Sequence, residues 1–230
     1  LRSAYRPVES ALCVGSDPLV VARALCAHCA SSQLYVADLD ALTGRPAQVN
    51  VLRALLHGLP DVTLWVDAGF HDLEAAQALQ RALGPLAERV VPVFGSESLR
   101  SAAAFEACFG PSQPWRAEAV LSLDRRGAQR MDPAGCWEAA DRWPNRIIVM
   151  TLDRVGSGAG PDLDTLRSVR ALAPQALLVG AGGVRDEADL ANAEQAGADA
   201  WLVASALHDG RLPARRPGEP GDRERGQAMA

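Results

Sequence analysis

Acidic residues follow several of the short apolar runs in this chain, and they are its main candidates for chemistry. Five of them stand at or just past the end of a run: Asp38, Asp40, Asp67, Asp124 and Asp153. Thr151 and Ser96 are hydroxyl residues in equivalent places. Carboxylates that converge repel each other unless one is protonated or a cation lies between them. The group therefore predicts general acid–base chemistry or a hard-metal site. The simpler alternative is that single Asp side chains only cap the helices that follow.

A glycine-rich turn late in the chain is the second chemical signal. It reads Gly180-Ala181-Gly182-Gly183 and opens directly into a predicted helix. Paired glycines let backbone N–H groups approach an anion, and a helix N-terminus adds partial positive charge. We predict phosphate binding by four residues of this turn and the next unit, namely Gly182, Gly183, Ala204 and Ser205. A mirrored phosphate site is predicted earlier in the chain, at Gly69, Gly95 and Ser96. The alternative is that these glycines serve turn geometry alone.

The elements that must position these residues recur at a regular spacing. Seven apolar runs of strand type are present, and their polar ends lie 23 to 29 residues apart. Amphipathic helices are predicted between them, for example over residues 72–83, 162–172 and 186–196. A period of this size indicates one repeated strand–helix unit. Near-continuous apolar strands are typical of a parallel sheet that is covered on both faces.

This spacing favours an α/β fold of the (β/α)8 TIM-barrel type, with an open doubly wound sheet as the alternative. Seven units are visible where a complete barrel has eight, and we expect that the first strand is missing from this chain. We predict a barrel domain over residues 1–210 and a disordered tail over residues 211–230, which is rich in Pro, Gly and charge. In such a barrel the carboxyl ends of the strands build the site, so the candidate residues would surround one mouth.

The overall composition limits the kinds of partner that the protein is expected to have. The net charge is −5 with both signs mixed, which argues against nucleic acid as a partner. Apolar stretches fall short of the roughly 20 residues of a membrane helix, so no membrane partner is predicted. Five scattered cysteines suit a reducing compartment, and we expect a cytoplasmic protein. Cys26 and Cys29 lie in a helical pattern, which favours buried helix residues over a zinc or redox site.

Several segments agree in order and spacing with one known family. The segments are Tyr35–Asp40, Leu121–Gly127, Ile148–Thr151, Val179–Val184 and Leu202–Leu207. Together they resemble the histidine-biosynthesis phosphoribosyl isomerase and cyclase barrels, the HisA/HisF family, over about residues 17–210. The resemblance implies a half-barrel duplication that binds a substrate with two phosphates. It also implies an Amadori rearrangement of an aminoaldose to an aminoketose, without metal or cofactor.

The resemblance implies roles for individual residues. Asp124 matches the functional Asp of the family's fifth strand, and Thr151 matches a sixth-strand polar residue near the sugar. One phosphate site of the family is matched by Gly182, Gly183, Ala204 and Ser205. The other phosphate site is matched by Gly69, Gly95 and Ser96.

The chain also departs from the family's pattern at three places. The first-strand Asp, which is the family's usual general base, has no counterpart. Gly156 stands about where the family's isomerases carry an acidic Asp in an Asp-Gly-Thr turn. The third-strand Gly-Gly-Gly is replaced by Asp67-Ala68-Gly69. The scaffold is therefore similar, while the family's acid–base pair is not intact.

Two functions of different classes follow. The first is an enzyme that isomerises a phosphorylated sugar-type metabolite, with Asp124 as one acid/base and Asp38, Asp40, Asp67 or Asp153 as the second. The departures resemble a diverged branch linked to one-carbon metabolism, which adds an enzyme of pterin- or furan-linked one-carbon cofactor biosynthesis as an alternative. The second function is a non-catalytic phosphate-ligand binder or partner subunit. A barrel without one strand has open edges, and a homo-oligomer is one way to cover them.

Overall fold

The seven predicted runs form seven parallel strands in the computed structural model, which describes residues 9–215 and 227–229. The strands of the first half are β1 (Gln33–Ala37), β2 (Thr63–Asp67), β3 (Val90–Gly95) and β4 (Val120–Arg126). A two-residue strand, β5 (Gln129–Arg130), pairs antiparallel with the end of β4. The strands of the second half are β6 (Arg146–Thr151), β7 (Leu177–Ala181), β8 (Ala200–Leu202) and β9 (Gln227–Met229).

The parallel strands follow the chain in the order β1-β2-β3-β4-β6-β7-β8-β9. Each pair keeps a simple register, so that Ala37 lies opposite Asp67 and Asp124 lies opposite Met150. β9 pairs in parallel with β8 and also contacts β1. The sheet is therefore a nearly closed barrel of the (β/α)8 type, as the spacing predicts, and not an open doubly wound sheet.

Part of the predicted tail lies in this sheet. Residues 216–226 and 230 lie outside the described residues, whereas Gln227–Met229 form β9. The edge of β8 that we expected to be open is thus paired over three residues. The predicted domain boundary at residue 210 stays a prediction.

Helices connect the strands and cover the outside of the barrel. The longer ones are α1 (Pro18–Cys29), α3 (Val49–Gly58), α4 (Leu73–Leu83), α5 (Ala102–Phe109), α7 (Leu163–Leu172) and α8 (Glu187–Gln195). Single turns form α2 (Leu39–Leu42), α6 (Trp115–Glu118) and α9 (Ser205–His208). Five of these six longer helices, all except α3, begin at a side chain that accepts hydrogen bonds from the first turn. The capping residues are Asp17, Asp72, Ser101, Asp162 and Asp186. Among the described residues, no helix is long and apolar enough to cross a membrane.

Two apolar clusters show which strand residues point inward. The smaller contains only strand residues, such as Trp65, Val120 and Ile148, and it fills the barrel interior. The larger combines the other face of the strands with the helices. Because side chains alternate along a strand, Asp124 shares the inner face with Val120, whereas Thr151 shares the outer face with Val149. This alternation decides which candidate residues reach the mouth.

Candidate active site at the barrel mouth

Asp124 is a buried carboxyl group at the end of β4, on the inner face of the barrel. Its exposed fraction is 3%. The Ser122 hydroxyl donates to Oδ1 at 2.7 Å, and the backbone N–H of Glu97 donates to Oδ2 at 3.2 Å. The Asp124 N–H in turn donates to Oγ of Ser96 at 2.8 Å, so β3 and β4 hold the group on both sides. The carboxyl group is therefore fixed in position before any ligand binds.

The surroundings of Asp124 favour its protonated form. The pKa of Asp124 is raised from 3.8 to about 8, mainly because burial disfavours the charged form. The charges of Glu97 and Asp67 act in the same direction, and the hydrogen bonds from Ser122 and Glu97 act against it. A carboxyl group with this pKa carries a proton near neutral pH and can transfer it to a substrate. A raised pKa in a cleft is also a common mark of a functional site.

Asp67 is the second buried carboxylate at the mouth. It ends β2, and its exposed fraction is 4%. The Tyr35 hydroxyl donates to Oδ2 at 3.1 Å, and the Gly69 N–H donates to Oδ1 at 3.0 Å. Asp67 is near enough for its charge to act on Asp124. The structure thus brings two of the five predicted Asp residues together at one place.

The Asp residues after β1 have local partners. Asp38 is buried and accepts from the N–H groups of Asp40 and Ala41 through Oδ1 and from Gln48 through Oδ2, at 2.7 to 3.2 Å. It is the N-cap of α2, as in the simpler alternative for these residues. Asp40 forms an ion pair of 2.6 Å with Arg45 in a partly exposed place.

The candidates after β6 point away from Asp124. The Thr151 hydroxyl donates to Oδ2 of Asp162 at 2.9 Å, on the helix side of the sheet. Asp153 is exposed, and it accepts from the Gly127 N–H at 2.7 Å, the main reason for its lowered pKa. Asp162, which was not among the predicted site residues, caps α7 and lies 3.6 Å from Arg125. Its place before a predicted helix was the available signal.

The four late phosphate candidates, Gly182, Gly183, Ala204 and Ser205, line one cavity of about 150 Å³. The backbone requires glycine at Gly182 and Gly183, since their φ angles are +88° and +85°. A Cβ on Gly183 would lie 2.1 Å from the carbonyl oxygen of Gly160. Tyr35 and Arg211, which were not among the predicted site residues, also line this cavity.

The three early phosphate candidates are not gathered in one cavity. Gly69 lines a wide groove of about 670 Å³ together with Arg45 and Arg100. Gly95 and Ser96 instead pack against Asp124: a Cβ on Gly95 would lie 2.9 Å from Oδ2 of Asp124. The Ser96 hydroxyl donates to the carbonyl oxygen of Met131 at 2.9 Å. Among the described residues, no three His, Cys, Asp or Glu side chains are grouped closely enough to hold a metal ion.

Comparison with known proteins places this geometry in a family. The model of the histidine biosynthesis protein family matches residues 6–213. The chain belongs to this family. It is 32% identical over 193 residues to the 1-(5-phosphoribosyl)-5-((5-phosphoribosylamino)methylideneamino)imidazole-4-carboxamide isomerase of Deinococcus radiodurans, which covers 78% of this chain and 76% of that protein. The same isomerase of Corynebacterium diphtheriae is 29% identical over 196 residues, with 79% and 78% covered.

Other relatives show both the breadth of the family and its fold. An uncharacterised protein of Methanocaldococcus jannaschii is 24% identical over 216 residues, covering 92% of this chain and 86% of its own length. Among solved structures, 3-hexulose-6-phosphate synthase from Salmonella typhimurium has a TM-score of 0.56 at 18% identity, with 78% of this chain and 82% of that chain covered. At this identity the structural match supports the barrel fold alone.

Proposed function

We propose that this protein is an isomerase that converts a phosphorylated sugar-type aminoaldose to an aminoketose by an Amadori rearrangement. The observation that carries the proposal is Asp124, a buried carboxyl group with a raised pKa at the mouth of a barrel of this family. The isomerase names of the relatives from Deinococcus and Corynebacterium support the reaction class.

Asp124 acts as the general acid in this proposal. The rearrangement begins when a proton is added to the ring oxygen of the aminoaldose, so that the bond from this oxygen to C1 breaks as the amine nitrogen forms a C=N bond to C1. A group that is protonated at neutral pH supplies this proton. The raised pKa of Asp124, caused mainly by burial, satisfies that condition.

Asp67 acts as the general base. The second step removes the proton from C2, and the electron pair left behind forms an enolamine, which becomes the ketone. Of the four carboxylates that the sequence offers for this role, Asp67 is the one whose charge acts on Asp124. Asp38 instead caps α2, Asp40 pairs with Arg45, and Asp153 is exposed. The hydrogen bonds from Tyr35 and Gly69 hold the Asp67 carboxylate in place at the mouth.

The glycine-lined cavity supplies the positioning. In the proposal, Gly182, Gly183 and Ser205 bind the phosphate, and this contact places the sugar carbons next to the carboxyl groups. No cofactor takes part in this mechanism. All five cysteines are free thiols, which supports the proposed cytoplasmic location.

The test is proton exchange during turnover. The protein is incubated in D₂O with an N-substituted ribosylamine 5-phosphate, and the product is followed by NMR. We expect aminoketose with deuterium at C1, since the proton that is lost from C2 exchanges before it is returned to C1. Asp124→Asn and Asp67→Asn should each lower kcat by 10²- to 10⁴-fold, the usual contribution of general acid–base groups.

The matched control is Asp153→Asn, which removes an exposed carboxylate outside the mouth. It should leave kcat within a factor of two. If the protein binds phosphorylated aminoaldoses but turns over none of them, the result would favour a non-catalytic phosphate-ligand binder over an enzyme. Equal losses of kcat in Asp153→Asn and Asp124→Asn would show that Asp124 has no special role in the reaction.

A further inference from the structure

The two sides of the mouth differ in charge. The ends of β2, β3 and β4 carry the carboxyl groups of Asp67, Glu97 and Asp124, with Arg45 and Arg100 in the groove beside Gly69. Among the described residues that line the glycine cavity, none is acidic and one, Arg211, is basic. Tyr35 connects the two sides, because it lines the cavity and its hydroxyl donates to Asp67. A ligand that spans the mouth therefore has different surroundings at its two ends.

Two backbone N–H groups on the carboxylate side already donate to carboxyl groups of the protein. The Gly69 N–H, which a glycine-rich turn would offer to a phosphate, donates to Oδ1 of Asp67 at 3.0 Å. The Glu97 N–H, at the equivalent place after β3, donates to Oδ2 of Asp124 at 3.2 Å. Two predicted anion-binding turns are thus occupied by the protein's own carboxyl groups.

Space on this side is also taken. Oδ2 of Asp124 lies close to Gly95, since a Cβ added to Gly95 would be 2.9 Å from it. The carboxyl group therefore covers the Gly95 backbone, which would otherwise be open to a ligand because glycine has no side chain. The Ser96 hydroxyl is held between the Asp124 N–H and the Met131 carbonyl oxygen. A phosphate here would have to displace these contacts and lie next to Asp67 and Glu97, whose like charges oppose it.

We infer that the substrate carries one phosphate, bound at the glycine cavity, and that its opposite end is a hydrogen-bond donor, a hydroxyl or an amine, which contacts Asp67. This inference rests on the proposed function, because it takes the ligand to span the mouth. It departs from the two-phosphate substrate that the family resemblance implies. Asp67, in place of a family glycine, is the residue that determines the specificity.

The experiment compares binding of two sugars that differ by one phosphate. Ribulose 5-phosphate and ribulose 1,5-bisphosphate are titrated into the protein by calorimetry at one salt concentration and one pH. We expect the monophosphate to bind at least 10-fold more tightly. Asp67→Gly, which restores the family's residue, and Asp67→Asn, which removes only the charge, should both reduce this preference at least 5-fold. Asp153→Asn should leave it unchanged.

A second pair of ligands tests what contacts Asp67. Glucosamine 6-phosphate and glucose 6-phosphate differ by an amine in place of a hydroxyl. Both sugars should bind, and Asp67→Asn should weaken the binding of glucosamine 6-phosphate more than that of glucose 6-phosphate. Failure of both sugars and of ribulose 5-phosphate to bind at millimolar concentrations would overturn the inference.

Binding of a second phosphate in the groove that contains Arg45 and Arg100 is the result that would contradict the inference. If the bisphosphate binds as tightly as the monophosphate, and Arg100→Gln removes that equality, a second phosphate has its own site and the inference is wrong. Binding is measured without turnover. A missing isomerase activity with an intact monophosphate preference would therefore contradict the proposed function alone, and an active enzyme that prefers the bisphosphate would contradict this inference alone.

Discussion

The hydroxyl of Tyr35 donates a hydrogen bond of 3.1 Å to Oδ2 of Asp67, which joins β1 to β2 at the mouth of the barrel. Tyr35 also lines the cavity where the phosphate is proposed to bind. One side chain therefore both lines the cavity and contacts a carboxylate whose charge acts on Asp124.

Tyr35→Phe should lower kcat about 10-fold and leave the fold intact, because the ring stays and only one hydrogen bond is lost. Without that bond the Asp67 carboxylate is held less firmly in its reacting position, so kcat should fall while KM stays within about twofold. Steady-state kinetics measures both constants. A rise in KM with kcat unchanged would assign Tyr35 a role in substrate binding only.

Asp124→Asn should change how stability depends on pH. The pKa of Asp124 is about 8 in the folded protein and 3.8 is its ordinary value, so between these limits the folded state holds a proton that the unfolded state has lost. The free energy of unfolding therefore falls as pH rises through this range, by up to about 1.4 kcal/mol per pH unit.

The measurement is urea denaturation of the natural chain and of Asp124→Asn at pH 5, 6, 7 and 8. The free energy of unfolding of the variant, relative to that of the natural chain, should increase as the pH rises from 5 to 8, because the variant has no carboxyl group to ionise. A constant difference across this range would show that Asp124 is ionised in the folded protein.

Asp38→Ala should destabilise the protein by about 2 kcal/mol, because it removes an N-cap and leaves the Gln48 N–H without its carboxylate acceptor. Asp40→Ala is the matched control, since Asp40 forms only a partly exposed ion pair and its loss should stay within about 0.5 kcal/mol. Thermal and urea denaturation give both values. Equal effects of the two substitutions would contradict the capping role of Asp38.

Gly183→Ala should weaken phosphate-sugar binding at least 10-fold. The new Cβ would lie 2.1 Å from the Gly160 carbonyl oxygen, so the turn must move. Gly135→Ala is the control: its φ of +74° and ψ of +27° lie in the left-handed region, where an alanine costs roughly 1–2 kcal/mol, but no atom lies within 4 Å of its Cβ. Calorimetric titration with ribulose 5-phosphate should show normal affinity in the control. Normal affinity in Gly183→Ala as well would remove this turn from the binding site.

The repeat in the sequence was sufficient to predict the barrel. Its seven runs are the seven strands β1–β4 and β6–β8, because a parallel strand that is buried on both faces needs a continuous apolar run. The glycine turn could also be predicted from the sequence, since two adjacent residues with positive φ leave little choice of residue type. The pairing of Gln227–Met229 with β8 was not readable, because three residues in a polar segment carry no periodic signal.

The sequence by itself determined that carboxylates stand near the strand ends, since their positions along the chain follow from the repeat. Only the tertiary structure decided which of them meet. Asp67 and Asp124 fall on the inner face of their strands, whereas Thr151 is one step out of phase and faces the helices. A strand reverses the direction of its side chains at every residue, so a one-residue offset separates a group in the mouth from one outside it. The same closeness in space gives Asp124 a buried environment beside two other carboxylates, and that environment shifts its pKa.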